Sequence, residues 1–331
     1  MRFLKRLLFI LLPTALFATA WLVWFAIKPL ALRTSPLDFG IPAGVGLRAA
    51  AQQMAQAGLG FSPWQFTLLA RLAGKSAEIK AGSYEVNQGV TPWLLLGKLT
   101  RGDVTQAEIV FVEGKTFRQL RDELDADPEV RHDTEGLKDA DIMARIGADG
   151  KYPEGLFFPD TYLFAKNSTS DLDILKRAYL AMQRHLDIEW HRRSQGLPFA
   201  TPYQALIMAS IIEKETGRPS DRAQVAAVFI NRLRLGMPLQ TDPTVIYGVG
   251  AKLQGGLSKR YLQIDTPYNT YTRNGLPPTP IAMPGLASLQ AALHPPASPM
   301  LYFVARGDGT SQFSRTLDEH NRAVAKYLKG K

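Results

Sequence analysis

The sequence predicts an α+β protein built from an N-terminal transmembrane helix, a small α+β region and a mainly helical domain that ends in a β-hairpin. Three patterns predict it. The chain opens on 21 residues without a charge, from Leu7 to Ile27. Short strands then alternate with capped helices up to about residue 124, and beyond residue 150 helical periodicity dominates until paired strand-like runs flank Gly307-Asp308-Gly309.

The first run lies between Arg2, Lys5 and Arg6 on one side and Lys28 on the other. At about 1.5 Å per residue it is long enough for a hydrocarbon layer of about 30 Å, and Trp21 and Trp24 suit an interfacial anchor. A cleaved signal peptide, with Ala18 and Ala20 in an A-x-A pattern, is the rival reading. The apolar run continues past that site to Ile27, which favours the anchor. The basic flank predicts residues 1–6 in the cytoplasm, 7–27 in the membrane and everything after Pro29 outside.

Residues 37–124 form the α+β region. A strand at Leu37 to Ile41 precedes a helix from Leu47 to Ala57, stopped by Gly58. A second helix follows Ser62 and Pro63 to about Ala73, before a strand at Ser83 to Val86. This order of strand, helix, helix and strand resembles the LysM glycan-binding module. Thr91 and Pro92 open a further helix to Thr100, and Ile109 to Val112 leads through Gly114 into a helix from Thr116 to Leu124.

Residues 125–150 are acid-rich and read as a connection with one helix. The next domain, 151–331, opens on KYPEGLFFPDTYLF, an aromatic packed loop in which Glu154 and Asp160 stand out. A helix from Leu172 to Trp190 follows.

The centre of this domain is TPYQALIMASIIEKETG, Thr201 to Gly217. Thr201 is a cap, Pro202 suits the first helical position and Gly217 lies past the end. From Ala205 to Ile212 only Ser210 is polar, so this helix belongs in a core. Glu213, Lys214 and Glu215 then close it. At roughly 100° per residue the two glutamates point to nearly opposite sides and cannot share a site. The negative end of the helix dipole and partial burial both raise the pKa of a carboxylate there, which suits a general acid. Residue physics offers Glu213 and Glu215 without choosing between them.

Ser220 is expected to cap the next helix, ended by Gly236. LQTDPTVIYG (Leu239 to Gly248) and TPYNTYTRNG (Thr266 to Gly275) read as loops rich in Tyr, Asn, Gln and Thr, whose apolar faces and neutral hydrogen-bonding groups match a sugar ring. Pro277, Pro278, Pro280 and Pro284 stiffen an extended segment. A hairpin, Leu301 to Ala305 with Ser311 to Arg315, and a helix from Leu317 to Leu328 complete the chain.

Composition excludes several classes. There are no cysteines, so no disulfide or thiolate chemistry, and the five histidines (His132, His185, His191, His294, His320) form no pair at metal-ligand spacing. The net charge is +9 from 39 basic and 30 acidic residues. Five of the bases precede Leu37 and no acid does, which leaves a mildly basic body with no nucleic-acid motif. That balance suits an anionic polymer or surface rather than nucleic acid.

ASIIEKETG (Ala209 to Gly217), VFINRLRLGMPLQTDPTVIYG (Val228 to Gly248), TPYNTYTRNGLPP (Thr266 to Pro278) and HPP followed by LYFVARGDG closely resemble the endolytic murein transglycosylases. EGLFFPDTYLF at Glu154 to Phe164 is similar to a further block of that family. The resemblance implies an inner-membrane protein with a periplasmic catalytic domain over 151–331. It would cut nascent peptidoglycan strands between N-acetylmuramic acid and N-acetylglucosamine, leave 1,6-anhydromuramic ends, and work beside peptidoglycan synthases. It places the catalytic acid at Glu213 and implies no metal or cofactor. Gln240, Asp242, Tyr247, Tyr268, Asn269 and Tyr271 are the expected cleft residues. Rival expectations are a hydrolase using Glu154, Asp160 or Asp242 as second carboxylate, and a noncatalytic glycan binder.

Overall fold

The computed structural model describes residues 2–42, 44–250 and 256–327, with side chains from residue 12 onward. Its contacts divide the chain into two compact units. One is 1–108 with 128–131 and 163–170; the other is 109–127, 132–162 and 171–331.

The first unit begins with α1 (Arg2–Ile27) and a short pair, β1 (Ala31–Leu32) with β3 (Leu59–Gly60). β2 (Leu37–Ile41) and β4 (Gly82–Val86) pair antiparallel, and α2 (Leu47–Ala57) and α3 (Pro63–Leu72) lie between them in sequence. The order expected from the sequence forms. β2 alternates buried and exposed residues, so Leu37, Phe39 and Ile41 face a core with Met54, Phe66 and Tyr84. Gly58, left-handed at φ 116°, ends α2, and Ser62 and Gln65 form a capping box on α3. α4 (Pro92–Arg101) adds Leu95, Leu96 and Leu99 to the core.

The N-terminal helix corrects the sequence reading. Among the described residues no helix is long and apolar enough to cross a membrane. Part of the expected span, residues 7–11, lies outside the described side chains. The helix also contains Pro13. Its last turns are core instead. Phe25 and Ala26 are buried in the first unit, and Trp21 stacks on Trp64 of α3 at 5.4 Å. The transmembrane helix, the cytoplasmic assignment of residues 1–6 and the single-pass inner-membrane location are therefore not supported.

β5 (Gln106–Val110) and β6 (Thr161–Ala165) pair with each other and carry the chain between the units. β6 falls within the stretch read as a packed loop.

The second unit contains α5 (Phe117–Ala126), α6 (Asp139–Arg145), α7 (Asp171–His191), α8 (Pro202–Glu215) and α9 (Pro219–Arg234). α10 (Asp242–Val249), α11 (Leu286–Leu293), the hairpin β7 (Tyr302–Ala305) with β8 (Ser311–Ser314), and α12 (Leu317–Tyr327) complete it. α8 is the axis, packed by α7, α9, α10 and α11, with every residue from Ala205 to Ile212 buried. Thr201 caps it by accepting the N–H of Gln204, and Thr216 in extended conformation ends it. The cap expected at Ser220 is displaced: Arg218 precedes the helix, Pro219 takes its first turn and the Ser220 hydroxyl turns to Asp221.

Candidate active site

Burial of α8 leaves its last turn to meet polar neighbours, and the two glutamates diverge as their spacing requires. Glu213 turns toward α9 and α11. Its side chain is 7% exposed. Oε2 accepts the N–H of Gly285, the residue that caps α11, at 3.0 Å, and Arg222 Nη2 stands 3.7 Å from Oε1. Gly285 is presented there because residues 280–284 are pinned to α8: the N–H of Ile281 donates to Ser210 Oγ at 3.0 Å, and that hydroxyl donates to the Ile207 carbonyl. The one polar residue between Ala205 and Ile212 is thus the peg for the segment that leads to Gly285.

Glu215 points elsewhere. Thr241 Oγ1 donates to its Oε2 at 2.6 Å, and burial pushes its carboxyl above the ordinary range. It lines a cavity of about 420 Å³ together with Gln240, Asp242 and Tyr271. Lys214 donates to the Gly114 carbonyl at 3.0 Å.

The six residues expected in the cleft separate into three settings. Gln240, Asp242 and Tyr271 share the cavity of Glu215, with the Tyr271 hydroxyl donating to Asp242 at 2.6 Å. Tyr247 and Tyr268 pack edge to face at 4.8 Å. Tyr247 sits on α10, in a stretch read as a loop, and lines a second cavity of about 770 Å³ with Tyr152, Glu154 and Lys214. Asn269 is fully buried. Its amide donates to the carbonyls of Leu262 and Ile264 and its oxygen accepts the N–H of Tyr271, so its groups are spent inside the loop.

Glu154 is 4% exposed. Phe117 N–H, at the start of α5, donates to one carboxylate oxygen and the Tyr247 hydroxyl to the other. Loss of water outweighs those bonds and pushes its carboxyl up to about 7. Its loop is locked by Gly155, at φ 76°, where a Cβ would stand 2.4 Å from that of Pro280. Asp160 is exposed and accepts the N–H of Thr161.

Sequence reasoning missed Glu113 and Arg222, which join the Glu213 surroundings from the loop before α5 and from α9. No local signal ties residue 113 to residue 213. It also missed Arg232, buried and donating to the carbonyls of Leu239 and Leu301, which fixes the chain entering α10 and the hairpin.

For metals, Asp125, His132 and Asp171 bring ligand-type atoms within 4.8 Å of one another. The Asp171 carboxylate already accepts the N–H groups of Asp133, Thr134 and Leu172 and the Thr134 hydroxyl, so it acts as a brace at the start of α7.

The last turn of α8 thus carries its two acids into different polar settings, Glu213 to the Gly285 amide and Arg222, and Glu215 to the cavity it shares with Tyr271. The chain belongs to the YceG-like family, whose model matches residues 39–326. It is 35% identical over 312 residues to the endolytic murein transglycosylase of Bacillus subtilis strain 168, covering 89% of this chain and 86% of that protein. It is 28% identical to the protein of the same name from Streptococcus pneumoniae R6, covering 88% of this chain but only 58% of that longer relative. The crystal structure of a YceG-like protein from Listeria monocytogenes matches 87% of this chain and 98% of its own length, with a TM-score of 0.56 at 30% identity.

Proposed function

We propose that this protein is a lytic murein transglycosylase that cuts glycan strands between N-acetylmuramic acid and N-acetylglucosamine, with Glu213 as acid and then base. The observation that carries the reading is the setting of Glu213: one carboxylate oxygen is anchored by a single N–H and the other faces Arg222, at the end of a helix otherwise buried. The names of the Bacillus and Streptococcus relatives supply the substrate class.

Glu213 protonates the glycosidic oxygen as its bond to the anomeric carbon breaks. As carboxylate it then takes the proton of the muramic 6-hydroxyl, whose oxygen bonds to that carbon and closes a 1,6-anhydro ring. The nucleophile is carried by the substrate, so proximity needs no bound water. A second carboxylate at the spacing glycosidases use is not required. Gln240, Asp242, Tyr247, Tyr268 and Tyr271 serve this reading as sugar-contacting residues, and the βααβ order of the first unit supports a LysM-like glycan-holding role. The polymerases that make such strands are the reactions supplying its substrate.

Mass spectrometry of digests of purified strands tests the proposal. Products one water lighter than hydrolytic ones are expected from the wild type. Fragments carrying reducing muramic ends would assign hydrolysis instead.

A further inference from the structure

The loop before α5 and the segment before α11 run side by side. The N–H of Gly114 donates to the Met283 carbonyl at 2.8 Å, and the N–H of Met283 donates to the Lys115 carbonyl at 2.8 Å. These two bonds fix Glu113 over Gly285. A Cβ built on Gly285 would lie 1.7 Å from Glu113 Oε1 and 2.3 Å from its Cδ, so a carboxylate fills the space where a side chain would stand. The N–H of that same glycine holds Glu213 Oε2. Two carboxylates, a hundred residues apart in sequence, therefore converge on one bare residue.

The charges around the pair come from three elements. α8 brings Lys214 beside Glu213, with its Nζ donating to the Gly114 carbonyl. α9 brings Arg222, 3.7 Å from Glu213, while Arg218 turns to the Asp308 carbonyl. The loop brings Lys115, which is ion-paired with Glu123. Residues 283–285 bring backbone alone. Loss of water and then the Glu213 charge push the Glu113 carboxyl upward, with Arg222 pulling it back. Carboxylates placed this way bind a first proton more readily than separate acids and release their protons in coupled steps.

We infer that Glu113 is a positioning residue for the reaction: its carboxylate, seated on Gly285, keeps a proton on the pair so that Glu213 meets substrate as an acid. This rests on the transglycosylase reading, in which Glu213 must arrive protonated and leave the step unchanged overall. Glu113 exchanges no atom with the substrate, and its influence is electrostatic.

The test is kcat and KM against pH for the full chain on purified murein strands. In Glu113→Gln the like charge is gone, so the alkaline limb of kcat is expected to move down by about one pH unit. That is roughly a tenfold loss at neutral pH, with the acid plateau and KM near wild type. Gly285→Ala should displace the Glu113 carboxylate and shift the limb likewise, and joining the two changes should add little. An unmoved limb, or an equal loss at every pH, overturns the inference and leaves Glu113 a loop brace. Anhydro ends in the same digests report on the transglycosylase reading separately. Carbon NMR of glutamate-labelled protein needs no turnover: the Glu113 carboxyl, raised in part by the Glu213 charge, should titrate lower in Glu213→Gln than in the wild type. An unmoved Glu113 titration also overturns it.

Discussion

The backbone N–H of Gly285 donates to Glu213 Oε2 across 3.0 Å, joining the last turn of α8 to the residue that caps α11. A single neutral donor orients the carboxylate without consuming both oxygens. Oε1 is left to Arg222 at 3.7 Å, longer than a direct hydrogen bond. One oxygen is thus fixed by the amide while the other faces a guanidinium.

If Glu213 is the acid and base proposed above, replacing it should stop the chemistry and spare the fold. Glu213→Gln keeps the size and can still accept from Gly285, so its melting temperature should stay close to wild type. Cleavage of purified strands should fall by about 10²- to 10⁴-fold, the range of a lost general acid and base. Equal cleavage by both proteins removes Glu213 from the mechanism.

Glu154 should write a pH dependence on stability. Its carboxyl is raised from 4.5 to about 7 in the folded protein by burial. The folded state therefore holds a proton that the unfolded chain releases at lower pH. The stabilisation is fully present below about pH 4.5 and is lost as pH rises through about 7, a change on the order of 3 kcal/mol. Denaturant unfolding between pH 4.5 and 7.5 should show this slope in the wild type and a flatter one in Glu154→Gln. Parallel slopes would mean that Glu154 is already ionised in the fold.

Asn269 separates a loop brace from a sugar contact. It is fully buried with its amide shared between two carbonyls. Asn269→Ala leaves both carbonyls and the Tyr271 N–H without a partner, so it should cost about 2–4 kcal/mol of stability. Gln240→Ala, on an exposed residue of the Glu215 cavity, should instead raise KM with little change in stability. The reverse pattern would return Asn269 to the substrate surface.

α8 was legible because its signals are local: a capping Thr201, Pro202 after it and an apolar run that no surface helix carries. α10 was not, since its eight residues lie in a Tyr-containing stretch that reads as loop, and α11, also of eight residues, starts after the Pro-rich segment with no side-chain cap to announce it. The divergence of Glu213 and Glu215 followed from helical geometry. The convergence of Glu113 on Gly285 depends on pairing between distant backbone segments, which no window of sequence contains. Asn269 misled for a local reason: an amide suits a sugar or a loop carbonyl equally, and only the path of its own loop, which brings the Leu262 and Ile264 carbonyls onto it, decides. At the N-terminus hydropathy alone cannot tell a lipid-facing run from one whose end is buried in protein.

The end of α1 offers the sharpest check on that last distinction. Phe25 is 7% exposed within the core of the first unit, whereas Phe17, two turns earlier, is 76% exposed. If the last turns are structural, Phe25→Ala should destabilise this unit by about 3 kcal/mol, the range for emptying a buried aromatic site. Phe17→Ala should stay within about 0.5 kcal/mol. Trp21 and Trp64, stacked at 5.4 Å, give a fluorescence signal for the same unfolding step. Equal effects at the two positions would mean that residues 17–27 act as one segment, with no burial at its far end.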